Sequence, residues 1–179
     1  MSELEISEKE KTPEKWQDKV DITYEDYFRA PFYIPHKGAV ELARELEEFM
    51  GKEKAHETVE KVFERLAIEQ AKKRAEEKPI NSFEEYKNAT KESMKQPLIS
   101  HATNLTIVEE TSKKLSTNIT ECLFAKTFKE MNATDLGYLI VCKTDFAAIK
   151  ISNPKLNLTR TKTLMQGDEC CNPTVSWEE

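Results

Sequence analysis

The chain has 179 residues, of which 34% are charged and 38% hydrophobic, with a formal net charge of −6. That length encloses the core of one domain. The even spread of Lys and Arg leaves no basic block for nucleic-acid phosphates, and no apolar run approaches the ~20 residues that span a bilayer.

Residues 1–30 read as a flexible lead-in, into which Trp16, Tyr24, Tyr27 and Phe28 bring docking aromatics, and residues 31–179 as a single α+β domain. A first helix is expected after Pro35. Ala39, Leu42, Ala43, Leu46, Phe49 and Met50 recur at helical spacing, and Gly51 supplies the stop. A second helix runs from Lys52 to Glu77, with Val59, Val62, Phe63 and Leu66 on one stripe, and Pro79 beyond it. Ser82 and Glu85 form a capping box, in which serine and glutamate satisfy free backbone amides at a helix start. This third helix turns Phe83, Tyr86, Thr90 and Met94 inward and closes at Pro97.

The pattern then changes. Residues 101–109 and 115–121 are rich in Thr, Ile and Val and alternate, which predicts an antiparallel hairpin across Lys113 and Lys114. If its second strand reaches Cys122, then Asn118, Thr120 and Cys122 share a face by the period of two. A helix follows with Phe124, Phe128 and Met131 aligned. Another starts near Thr134 and places Tyr138, Cys142 and Asp145 on one face. Two strands, 156–165 and 171–177, close the chain around a Gly167-Asp168 turn. The first carries Arg160 in phase with Leu156, Leu158 and Leu164, and the second points Cys171, Val175 and Trp177 the same way. The expected fold is therefore α+β: N-terminal helices on an antiparallel sheet of about four strands, with two further helices.

The polar, acidic start has neither a charged n-region nor an apolar h-region, so the expected compartment is the cytoplasm. Five Asn-X-Ser/Thr triplets, at Asn88, Asn104, Asn118, Asn132 and Asn157, are then unmodified. Cys122, Cys142, Cys170 and Cys171 read as reduced thiols.

The chemistry concentrates in the second half. A cation on an apolar strand face needs an anionic partner, and Arg160 suits bidentate recognition of a carboxylate, either from a substrate or from Asp145. Asp145 serves as an acid/base or as the ion-pair partner of Arg160. Cys122, at a strand-to-helix junction, lies where free helix N–H groups stabilise an anion. Against these stand the readings of Cys122 and Cys142 as ordinary buried thiols and of Arg160 and Asp145 as a simple pair. The cysteines lack CxxC spacing, so a metal site has to be assembled from separate elements, from Cys122, Cys142 and Cys171 with Cys170 or His101 as an added ligand. His36 and His56 are expected to face solvent. Four glycines leave no room for a phosphate-binding fingerprint.

Asn118-Ile-Thr-Glu-Cys122, Asp135-Leu-Gly-Tyr138, Cys142-Lys-Thr-Asp145-Phe, Asn153-Pro, Leu158-Thr-Arg160-Thr-Lys-Thr-Leu-Met-Gln-Gly167 and Cys171 occur in a fixed order. This succession resembles the L-2-amino-thiazoline-4-carboxylic acid hydrolase family, strongly over the last 60 residues and more loosely back to about His36. The resemblance implies a cytoplasmic hydrolase of a small heterocyclic acid. Water adds to the amidine-like ring carbon and the thiol leaves, giving N-carbamoyl-cysteine. Arg160 then holds the carboxylate, Cys122 or Cys171 attacks the ring carbon or ligates a metal, Asp145 shuttles protons, and Asn118 and Tyr138 contact the substrate. A divalent metal (zinc, manganese or iron) is compatible with this set, as is a non-catalytic metal- or ligand-binding module. The partner is a small-molecule substrate, and the amphipathic N-terminal helices offer a homo-oligomer face. The family's usual Gly-x-x-His-Cys-Asp-Phe is here Gly167-Asp-Glu-Cys170-Cys171-Asn172-Pro173. Cys170 replaces a base or ligand, and Pro173 points to an edge strand.

Overall fold

The computed structural model describes residues 24–178, with side chains from Phe32 onward except Pro97 and Leu98. Helix α1 spans Tyr24–Met50, beginning eleven residues before Pro35. It therefore runs through Pro31 and Pro35, each of which removes a backbone donor that a regular helix uses. Side chains hold the helix there. His36 Nδ1 lies 2.7 Å from the carbonyl oxygen of Phe32 and its ring stacks on Phe32 at 3.9 Å. Phe32 also meets Phe124 edge-on at 4.7 Å. His36 is thus half-buried among aromatics instead of solvent-facing, and burial pushes its pKa down. Residues 24–30, expected in a lead-in, are helical. Trp16 lies outside the described residues, as do the side chains of Tyr24, Tyr27 and Phe28.

Gly51, at φ 85°, turns the chain into α2 (Lys52–Glu77), whose bounds are those expected. Helix α3 (Phe83–Met94) starts on Ser82, whose Oγ accepts from the Glu85 amide at 3.2 Å. Glu85 reaches one residue further back than a standard box, accepting from the Asn81 amide at 2.7 Å. Pro97 does more than close α3. It opens a short helix α4 (Pro97–Ala102), which takes His101 out of the expected strand.

Strands β1 (Thr103–Glu110) and β2 (Lys114–Cys122) form the hairpin, and β2 does reach Cys122. Helix α5 (Leu123–Glu130) follows directly. The helix expected from Thr134 is three pieces: α6 (Thr134–Gly137), a π-helical turn (Tyr138–Cys142) and α7 (Thr144–Ser152). Within the π turn the Lys143 amide bonds to Tyr138 O, five residues back, at 2.8 Å. The extra residue per turn rotates everything after it.

The closing segment is also more broken than alternation predicts. β3 is Leu156–Thr159, a 3₁₀ turn covers Leu164–Gln166, and β4 is Thr174–Trp177. Arg160 stands just past the end of β3, and Cys171 forms an isolated bridge with Ile119 in place of a continuous strand. The antiparallel sheet runs β1-β2-β4-β3, so β4 is internal. Pro173 does not make it an edge strand. It precedes β4, and its carbonyl accepts from the Thr117 amide at 3.0 Å.

The architecture is α+β, with helices against the four-stranded sheet. One core cluster joins α1 and α2 to α5, α6 and the π turn through Val40, Ala43, Val59, Phe128, Leu136 and Ile140. A second sets Phe83 of α3 against Leu115, Leu156, Leu158 and Val175 of the sheet. The π turn packs on the first cluster and α7, through Phe146 and Ile149, on the second. The segment bearing Cys142 and Asp145 therefore lies where the two meet. Gly137 fits because a Cβ there would come 2.5 Å from Phe128 Cγ and 2.7 Å from Met165 Sδ.

Candidate active site

Arg160 is the most enclosed charge of this junction, its side chain 7% exposed. Its Nη1 donates to Asp145 Oδ2 at 2.9 Å, its Nη2 to the carbonyl oxygen of Cys142, and its guanidinium lies over the Phe146 ring at 5.2 Å. Two features of the helix allow this. The π turn ends at Cys142, and the Phe146 amide, which a regular helix would aim at Cys142 O, bonds to Lys143 O at 3.3 Å. The freed carbonyl takes the arginine. Asp145, in the first turn of α7, keeps 52% of its side-chain surface open. Yet the surrounding chain pushes its carboxyl above the usual range, against the pull of Arg160. The side chain is thus crowded by the surrounding chain while part of its surface stays open to solvent.

The thiols gather around this pair. Cys171 Sγ accepts from the Leu164 amide at 3.2 Å and lies 3.7 Å from Thr163 Oγ1. The same hydroxyl is 3.9 Å from Cys142 Sγ, so a buried threonine sits between two thiols. Thr163 is itself fixed: its amide donates to Asp168 Oδ2 at 2.7 Å. Burial pushes the Cys142 thiol up to about 12, Arg160 opposing and Asp145 adding to the shift. Cys122 ends β2 and stands at the N-cap position of α5, beside the backbone amides of Phe124 and Ala125. Burial still raises its pKa, and the nearby charges of Cys171 and Asp145 add to that. Both thiols are neutral at neutral pH.

Cys122 alone of these groups lines a cleft of about 780 Å³. Its lining carries both signs of charge, Lys126 and Lys129 together with Glu121 and Asp168, and includes His101.

The remaining expected site residues lie elsewhere. In the hairpin register Thr103 pairs with Cys122, Asn104 with Glu121, and Leu105 with Ile119. Thr120 is therefore an extra residue, a bulge in β2. Paired residues share a face, so Cys122 falls on the inner face with Ile119, Leu105 and Thr103. Asn118, paired with Thr106, falls on the opposite face. The expected sharing of a face by Asn118 and Cys122 fails for this reason. Tyr138 lines a separate recess of about 310 Å³ with Glu60, Glu64 and Phe146, because the π turn breaks its alignment with Cys142 and Asp145. Cys170 is half-buried near Lys162 and in none of these hydrogen bonds.

The thiols bring together no three ligand atoms close enough to share an ion among the described residues. Among the described residues, three ligand atoms close enough to share an ion come together at Glu47, His56 and Asp135. That group is an ion-pair cluster. Arg44 forks onto Asp135 at 2.9 and 3.1 Å, Lys52 adds a contact at 3.1 Å, and His56 lies 2.6 Å from Glu47. His56 is therefore largely enclosed, contrary to its expected exposure. Thr163 and the cleft lysines escaped sequence reasoning. Thr163 carried one usable signal, a cap-type residue two positions before a buried methionine, while Lys126 and Lys129 look like any solvated helix face.

An antiparallel sheet packed against helices, with thiols, a carboxylate and a guanidinium at their junction, defines an α+β protein. The family model described as L-2-amino-thiazoline-4-carboxylic acid hydrolase matches residues 32–174, from the aromatic clamp of α1 to the first residue of β4. The chain belongs to that family. No curated protein matches it.

Proposed function

We propose that the protein hydrolyses a small carboxylated heterocycle of the 2-amino-thiazoline-4-carboxylate type, with Cys122 as its reacting thiol. The observation that carries this reading is the position of Cys122: at the N-terminus of α5, on the wall of the large cleft, and within the electrostatic reach of Asp145. Family membership supports the substrate class.

Such a substrate has a cationic amidine at one end and a carboxylate at the other, which the mixed-charge walls of the cleft suit. Lys126 and Lys129 take the carboxylate, and Asp168 faces the amidine. Arg160 acts as a positioning residue: already bonded to Asp145 and the Cys142 carbonyl, it fixes the carboxylate of Asp145. Asp145, with its pKa raised, accepts the Cys122 proton. The thiolate adds to the ring carbon between sulfur and nitrogen. The ring C–S bond then breaks, and the departing sulfur takes the proton back. Water adds to the same carbon and expels Cys122, leaving a urea, so one water is consumed and one free thiol appears in the product.

The test is incubation of the purified protein with L-2-amino-thiazoline-4-carboxylate while titrating released thiol. Thiol release that Cys122→Ser lowers by about 10²-fold or more supports the assignment. No release above the buffer rate overturns it.

A further inference from the structure

The outer face of the α1–α2 hairpin has no use in the chemistry above. We infer that it pairs two copies of this chain into a four-helix bundle related by a two-fold axis. Glu47 and His56 mark the inward side of the hairpin, where they meet Asp135. On the far side of α1, Ile34, Leu42 and Phe49 are 70%, 62% and 86% exposed, and Val62 and Leu66 of α2 are 37% and 42% exposed. Large apolar side chains in one row on a helix pair mark an association surface.

The charges beside this row choose the occupant. Glu41, Glu45 and Glu48 recur at helical spacing along the α1 edge, and all three are exposed. Lys54, Lys61, Arg65 and Lys72 form the matching row on α2, likewise exposed. Among the described residues, Lys61 of this row pairs with Glu57 at 2.6 Å, a contact within α2. The face thus runs acidic, apolar, apolar, basic from α1 to α2. A two-fold axis parallel to the helices brings α1 of one copy over α2 of the other. The acidic edge of each copy then meets the basic edge of its partner, and the apolar rows meet in the middle. A surface that is its own complement under a two-fold is what an isologous dimer needs.

Gel filtration with light scattering on the full chain tests this across a dilution series. The wild type is expected at twice the monomer mass. A variant with Glu41→Lys, Glu45→Lys and Glu48→Lys is expected to be monomeric, as is one with Lys54→Glu, Arg65→Glu and Lys72→Glu. An equimolar mixture of the two restores the dimer mass, because each opposes the other's edges. Far-UV circular dichroism checks that both variants fold. Should either fail to, Phe49→Ser reads the same face and is expected to raise the dissociation constant at least about tenfold. A monomeric wild type overturns the proposal and gives the face to another partner. Dimeric single variants, or a mixture that stays monomeric, overturn it as well.

Discussion

Arg160 donates through Nη2 to the carbonyl oxygen of Cys142, a backbone acceptor that the π turn has released from the helix ladder. One side chain thereby ties the end of β3 to the element that carries Asp145.

Arg160 thus has a structural role in addition to the positioning role proposed for it. Arg160→Ala leaves Asp145 and the Cys142 carbonyl without their donor. A fully buried pair broken this way loses about 3–5 kcal/mol; with Asp145 half open to solvent, about 2 kcal/mol is expected. Arg160→Lys recovers only part, since an ammonium cannot fork between the two acceptors. Urea unfolding midpoints measure both, and an unchanged midpoint in the alanine variant would remove the tie.

Gly137→Ala is expected to cost about 1–3 kcal/mol through overpacking, because the added methyl meets the Phe128 ring and the Met165 sulfur. Phe128→Leu alone opens a hole and also destabilises. The double variant is expected to lose less than the sum of the two, and a double-mutant cycle by thermal unfolding reads the difference.

The two thiols separate by pH and access. With its folded pKa raised from 9.0 to about 12, Cys142 favours the native state while it is protonated. That contribution is fully present below pH 9.0 and is lost as pH rises toward about 12. Native protein treated with iodoacetamide near pH 8 is expected to label Cys122, in the cleft, ahead of Cys142, as peptide mass spectrometry shows. Preferential labelling of Cys142 would contradict its enclosed position.

On the acid side, Arg44 and Lys52 hold the Asp135 carboxyl well below the usual carboxylate range, against the opposing effect of burial. Its folded pKa lies below its unfolded one, so its contribution is present above about pH 4 and declines as pH falls further. Asp135→Asn removes that dependence. The stability difference between wild type and variant is expected to shrink from pH 6 to pH 2, in unfolding curves taken at low salt.

Where local chemistry punctuates the chain, the fold was legible. Gly51 and Pro79 bracket α2, Ser82 and Glu85 open α3, and the alternating Thr, Ile and Val residues form the hairpin. The thiols, Asp145 and Arg160 were also recognisable as one constellation from their order and type. Their roles were less so, because face assignments assume a constant period. Thr120 breaks the period of two and moves Asn118 to the other side of the sheet from Cys122. The π turn breaks the period of 3.6 and sends Tyr138 to a different recess from Asp145. Both interruptions depend on pairing with distant residues, which a local pattern does not contain. Pro173 shows the converse: the sequence marks where a strand cannot extend, and the sheet places that strand inside by starting it one residue later.

The π turn also bears on the order of folding. A peptide of residues 134–152 on its own has no Arg160 to occupy the Cys142 carbonyl, and the regular helix is its better hydrogen-bonded state. In that helix Asp145 points about a quarter-turn away from its place in the folded chain. The carboxylate therefore gains its orientation only when the strand that follows has docked. A nascent or truncated chain ending before Arg160 already carries Cys122, Cys142 and Asp145, yet has its carboxylate aimed in the wrong direction.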